Sequence, residues 1–130
     1  MIPGYEIVVE GKYCVVLMSK KAKKTFLISP DAARARALRI MEELADNGPK
    51  DLIASQFPSE GRHPSGGENG ANVLVSAVKS HQLRVYGGFV DLPPRAFVCL
   101  ETAIKKQNKA DQGQLQRVAK KLGALDGKGK

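Results

Sequence analysis

Between Ser29 and Pro49 the chain carries a helix whose two ends are both marked in the sequence. Ser29 offers a hydroxyl to the free N–H groups of a first turn, Pro30 suits the first helical position, and Asp31 faces the positive end of the helix dipole. Ala37, Leu38, Met41, Leu44 and Ala45 recur at helical spacing, with Arg34, Arg36, Arg39, Glu42, Glu43 and Asp46 on the polar side. Asn47 or Gly48 can take a left-handed cap, and Pro49 cannot continue the helix. A helix over residues 29–48 with one apolar face needs a surface to bury it, and the flanking segments read as strands.

Tyr5–Val9 alternates weakly, Glu10-Gly11-Lys12 offers a turn, and the run from Tyr13 to Met18 is apolar and partly β-branched, which together predict an N-terminal hairpin. Residues 1–28 are assigned to N-terminal strands. Within them residues 20–24 break the apolar pattern, and Thr25-Phe26-Leu27-Ile28 is either a short strand or the lead-in to a helix. Residues 58–70 have the composition of a flexible loop, with two prolines and four glycines. Residues 71–104 resume strand character, broken by turns at Lys79-Ser80-His81 and at Asp91-Leu92-Pro93-Pro94. A last amphipathic helix is predicted over residues 110–125, with Leu115, Val118, Ala119, Leu122 and Leu125 on one face. At 130 residues, 42% of them hydrophobic, the chain fits a single α+β domain with its own core.

Charge narrows the function. The net charge of +8 is concentrated in two places. Lys12, Lys20, Lys21, Lys23 and Lys24 have no acid among them, and from Arg84 onward ten Lys and Arg face four Asp and Glu. Such a balance points to a polyanionic partner, namely nucleic acid, an anionic membrane surface or an acidic protein; the plainer alternative is a solvated basic surface. No apolar run approaches the roughly 20 residues that span a bilayer, and no basic-then-apolar leader opens the sequence, so a cytoplasmic protein is expected. Cys14 and Cys99 lie in apolar runs and are expected to be small buried hydrophobes. His63 and His81 are too isolated to predict a metal site, and no cofactor is expected.

Leu83-Arg84-Val85-Tyr86 resembles the "ELRV(F/Y)" strand of RelE/HigB-type toxins. Phe97-Val98-Cys99-Leu100, then Ile104-Lys105-Lys106-Gln107-Asn108-Lys109, is similar to their next strand and its basic end, and the segment from Leu115 to Leu122 sits where that family has its closing helix. The resemblance spans roughly residues 32–122. It implies a small curved antiparallel sheet with helices packed on one face, here with an added N-terminal hairpin and the closing C-terminal helix. It also implies a toxin of a toxin–antitoxin pair that cuts messenger RNA on the ribosome and is held by a cognate antitoxin protein. A ParE-like branch keeps the fold without the nuclease residues and poisons gyrase; a non-catalytic binding protein of that kind is the alternative. Ala103-Ile104 stands where the family often has phenylalanine, and no Tyr or His follows Tyr86.

Metal-independent RNA cleavage needs a group to take the 2′-OH proton, cations at the phosphate, and a proton for the departing 5′-oxygen. Arginine can grip two phosphate oxygens and lysine acts as a point charge. Arg84 is the first candidate for the phosphate, because Gln82, Arg84 and Tyr86 share one face of a strand; its alternative is a solvent-facing position paired with Glu101 or Asp91. Lys105, Lys106 and Lys109 complete the candidate catalytic set, with Tyr86 to stack on a base or move a proton. Lys20, Lys21, Lys23, Lys24, Arg117 and Lys120 are the candidate RNA-backbone contacts.

Overall fold

The computed structural model describes residues 2–66, 71–92, 94–105 and 111–128. Strands β1 (Tyr5–Glu10) and β2 (Val15–Ser19) form the expected hairpin, followed by helices α1 (Lys20–Leu27) and α2 (Asp31–Asn47). A 3-10 turn (Pro49–Asp51) leads toward β3 (Ser59–Pro64), β4 (Asn72–Ser80), β5 (Leu83–Val90), β6 (Ala96–Ile104) and helix α3 (Gln112–Lys128). The strands form one sheet in the order β1-β2-β6-β5-β4-β3. The α+β class, the N-terminal hairpin and the closing helix are as expected.

Two features of the sheet differ from the expectation. It is mixed, because β2 runs parallel to β6 (Val15 beside Ala96, Met18 beside Cys99), while the β3–β6 segment is an antiparallel meander. Helices also cover both faces. Cys14, Val16 and Met18 of the β2 segment, Val78, Val85, Phe97 and Cys99 pack under α1 and α2. Their alternates Val15, Leu17, Ala77, Tyr86, Val98 and Leu100 pack under α3. Strands apolar on both sides need cover on both sides, which explains the continuous apolar runs at Val15–Met18 and Ala96–Leu100.

Three local assignments are corrected. Residues 20–27 are helical, because Ser19 Oγ accepts the Ala22 N–H at 3.1 Å and Ala22 and Phe26, four residues apart, bury on the core. Ser29 does not cap α2; its hydroxyl turns back to donate to the Phe26 carbonyl, and Pro30 takes the cap position with no side-chain bond. Residues 59–64 are an edge strand paired with β4, with a bulge between Ser59 and Arg62 and Gly61 at φ 89°. Edge pairing uses backbone groups and needs no apolar pattern, so composition alone concealed it. Residues 67–70 of the expected loop lie outside the described residues.

The turn reading of His81 holds: it adopts φ 56° between β4 and β5. Cys14 and Cys99 are free and buried as expected, and burial pushes the Cys14 thiol up to about 11, against the field of Arg95 and a backbone hydrogen bond at Phe97. Among the described residues no helix is long and apolar enough to cross a membrane.

Candidate nucleic-acid interface

Strands β2 and β6 run parallel, so they finish at the same end of the sheet. Helix α1 leaves β2 there carrying Lys20, Lys21, Lys23 and Lys24, and Lys105 follows β6 there, its N–H donating to the Gln82 carbonyl at 2.7 Å. Arg84, the second residue of β5, lies at the same end, opposite Lys79 on one side and Ala103 on the other. Basic groups distant in sequence therefore share one end of the fold.

Several of them are already engaged. Arg84 is 5% exposed and shares the α3 face with Tyr86, as strand alternation predicts. Its Nη1 donates to the carbonyls of His81 at 2.7 Å and Leu83 at 3.1 Å, so it is neither solvent-facing nor an open clamp. Tyr86, 1% exposed, is a core residue. Burial and the nearby Glu60 carboxylate push its hydroxyl up to about 12, against Arg84 and with Asp111, so it keeps its proton and has no surface for a base to stack on. Lys106 and Lys109 lie outside the described residues.

The β5–β6 register shifts between Tyr86, opposite Glu101, and Gly87, opposite Cys99. Leu100 is the extra residue of this bulge, and the shift turns Glu101 toward α3. Glu101 is 4% exposed and is held by two helices: Arg117 of α3 through Nε at 2.9 Å and Nη2 at 3.1 Å, and Lys21 of α1 at 3.1 Å. Burial alone raises a carboxyl, but hydrogen bonds from Arg117, Lys21 and Gln114 outweigh it and hold Glu101 below the ordinary range. Lys21 and Arg117, expected as RNA contacts, thus have a carboxylate between them. Lys23 pairs with Glu6 at 2.7 Å. Lys20, Lys24 and Lys105 make no ion pair among the described residues. Lys120 is exposed farther along α3, where a Cβ on Gly66 would lie 3.6 Å from its Cγ.

Glu60 was not anticipated. It lies in the bulged part of β3, half-buried, with Arg84, Lys79, Lys105 and His63 acting on it, and its own carbonyl is 2.9 Å from His63 Nε2. Burial raises its carboxyl above the ordinary value, and Arg84, Lys79, Lys105 and His63 pull the other way. A half-buried carboxylate with a raised pKa beside cations is a combination shared by functional sites and by structural ion networks. A loop-like composition hid it, and only the pairing of β3 with β4 brings it onto the sheet.

A cleft of about 420 Å³ lies elsewhere, beside α2, and mixes Arg36 and Arg39 with Glu43 and Asp51. Among the described residues no group of three or more His, Cys, Asp and Glu is placed to hold a metal ion. The fold and this end of it define a basic α+β protein with a carboxylate set among cations. No protein-family model matches the chain, and neither a curated protein nor a solved structure matches it.

Proposed function

We propose that this protein binds RNA with the Lys105 end of its sheet and cleaves it without a metal. In this reading it is the toxin of a toxin–antitoxin pair, its substrate is messenger RNA on the ribosome, and a cognate antitoxin restrains it. The observation that carries the proposal is a half-buried Glu60 on the edge strand at the end of the sheet where Lys79 and Arg84 stand opposite each other across β4 and β5, with the charges of Arg84, Lys79 and Lys105 acting on it. Glu60 takes the 2′-OH proton, the 2′-oxygen attacks phosphorus, and a 2′,3′-cyclic phosphate forms as the 5′-oxygen leaves. The Lys105 ammonium protonates that oxygen, while Lys79 and Lys105 offset charge on the phosphate. Arg84 contributes its field from beneath and steadies the β4–β5 turn through the His81 carbonyl.

The test is cleavage of cellular messages after induction, read by primer extension, together with growth. Glu60→Gln and Lys105→Ala are each expected to slow cleavage about 100-fold and relieve growth inhibition, with unfolding temperature nearly unchanged. Cleavage at the wild-type rate by both variants overturns the assignment.

A second reading has its own support. The 5% exposure of Arg84 and its bonds to backbone carbonyls are those of a structural arginine, which favours a non-catalytic binding protein on this scaffold, such as a gyrase poison or an inhibitor of another host complex. Growth inhibition with intact messages selects it.

A further inference from the structure

The other end of the sheet carries an open aromatic cleft. The protein has three Tyr, four Phe and no Trp. Tyr13, Phe57, Phe89 and Phe97 form a single series of edge-to-face contacts with centroid separations of 5.2–6.4 Å. The series starts in the core at Phe97, 0% exposed, and ends at the surface with Phe89 and Tyr13, each 37% exposed. The Arg95 guanidinium lies 4.5 Å from the centre of the Tyr13 ring. Tyr13, Phe89, Asp91 and Arg95 line a cleft of about 360 Å³, and a smaller one that shares Tyr13 is lined by Lys12 and Glu10.

The cleft is built rather than incidental. The Tyr13 N–H donates to the Ala45 carbonyl at 2.8 Å, and its ring lies over Gly48, where a Cβ would come within 2.9 Å of it. The Val15 N–H donates to the Arg95 carbonyl at 3.0 Å, which anchors the backbone beneath the guanidinium. Ring and cation are therefore preset against rigid elements.

We propose that this cleft is a guanine-nucleotide site. Phe89 supplies aromatic surface for one unstacked base, Tyr13 holds the Arg95 guanidinium in the cleft wall, and Arg95 supplies the cation for the attached phosphate. Asp91, exposed in the wall, is acceptor-only. Among the RNA bases guanine alone presents two adjacent N–H donors on its Watson–Crick edge, which a carboxylate accepts together. An apolar peptide anchor would leave Asp91 and Arg95 unused. The inference does not rest on the nuclease reading, because binding here needs none of Glu60, Arg84 or Lys105.

The test is NMR titration of the intact chain with GMP, AMP, CMP and UMP, following the Tyr13 and Phe89 ring signals. The expected result is saturable shifts with GMP and binding at least about 10-fold weaker with UMP. Arg95→Ala and Tyr13→Leu should each weaken GMP about 10-fold. Amide spectra and unfolding temperatures confirm that these variants are folded. Glu60→Gln should bind GMP as wild type does, which separates this result from any failure of cleavage. A guanine-containing single-stranded RNA pentamer that binds more tightly than GMP identifies an RNA segment as the ligand; equal or weaker binding identifies the free nucleotide. No saturable shift at Tyr13, or equal affinity for all four nucleotides, overturns the proposal.

Discussion

Arg84 and Arg95 stand at opposite ends of the same sheet and meet opposite fates. Arg84 is 5% exposed, with its guanidinium turned onto backbone carbonyls, whereas Arg95 is exposed and lies over an aromatic ring. At the Lys105 end much of the positive charge is spent on internal order, because Lys21 and Arg117 share Glu101 and Lys23 holds Glu6. At the Tyr13 end neither ring nor cation is fully covered. The difference teaches that a basic composition does not identify its own working cations. At the Lys105 end, the cations without an ion pair among the described residues are Lys20, Lys24, Lys79 and Lys105, and which ones these are depends on where Glu6 and Glu101 sit.

Stability measurements can break or sharpen this contrast. Glu101→Ala should have the largest effect. It removes a buried carboxylate joining α1, β6 and α3, but the cations it leaves are more than half exposed at 54% and 60%, so water resolvates them. A loss of about 2 kcal/mol in urea unfolding is expected, less than for a pair buried on both sides. The same group sets an acid limb. Its carboxyl is depressed in the folded state, so its contribution is present above the ordinary value of 4.5 and is lost as pH falls below it. Glu101→Ala should flatten the pH dependence of stability in that range, and an unchanged slope would remove Glu101 from the centre of the network.

Arg95→Ala should come next, at about 1 kcal/mol or less, because one exposed cation–π contact is lost and no buried group is orphaned. A loss as large as that of Glu101→Ala would show that the aromatic end is structural rather than open. Lys23→Ala should be smallest, about 0.5 kcal/mol, since both partners of its pair with Glu6 are exposed.

Helix α2 was legible because its apolar residues keep helical spacing and its stop signal is explicit, even though Ser29 caps nothing. The later strands were legible because apolar runs between turns have few other uses. Helix α1 was not, because four of its eight residues are lysine and its core contact rests on Ala22 and Phe26. Strand β3 was not, because an edge strand is held by its backbone. At the candidate site, strand alternation correctly put Arg84 and Tyr86 on one face, but it could not show that α3 covers that face. The inward turn of Glu101 depends on one extra residue at Leu100, and the parallel pairing of β2 with β6 is a tertiary choice that leaves no periodic trace in either strand.

The central claim is that this parallel pairing gathers the working cations at one end of the sheet. Its most direct test is the salt dependence of affinity for a non-cleavable single-stranded RNA. A Lys20/Lys24/Lys105 triple alanine variant should show a slope of log affinity against log salt shallower by about 2 units, from roughly 0.7 per phosphate contact. An unchanged slope, or an equal loss on replacing Arg36 and Arg39 of α2 instead, would contradict it.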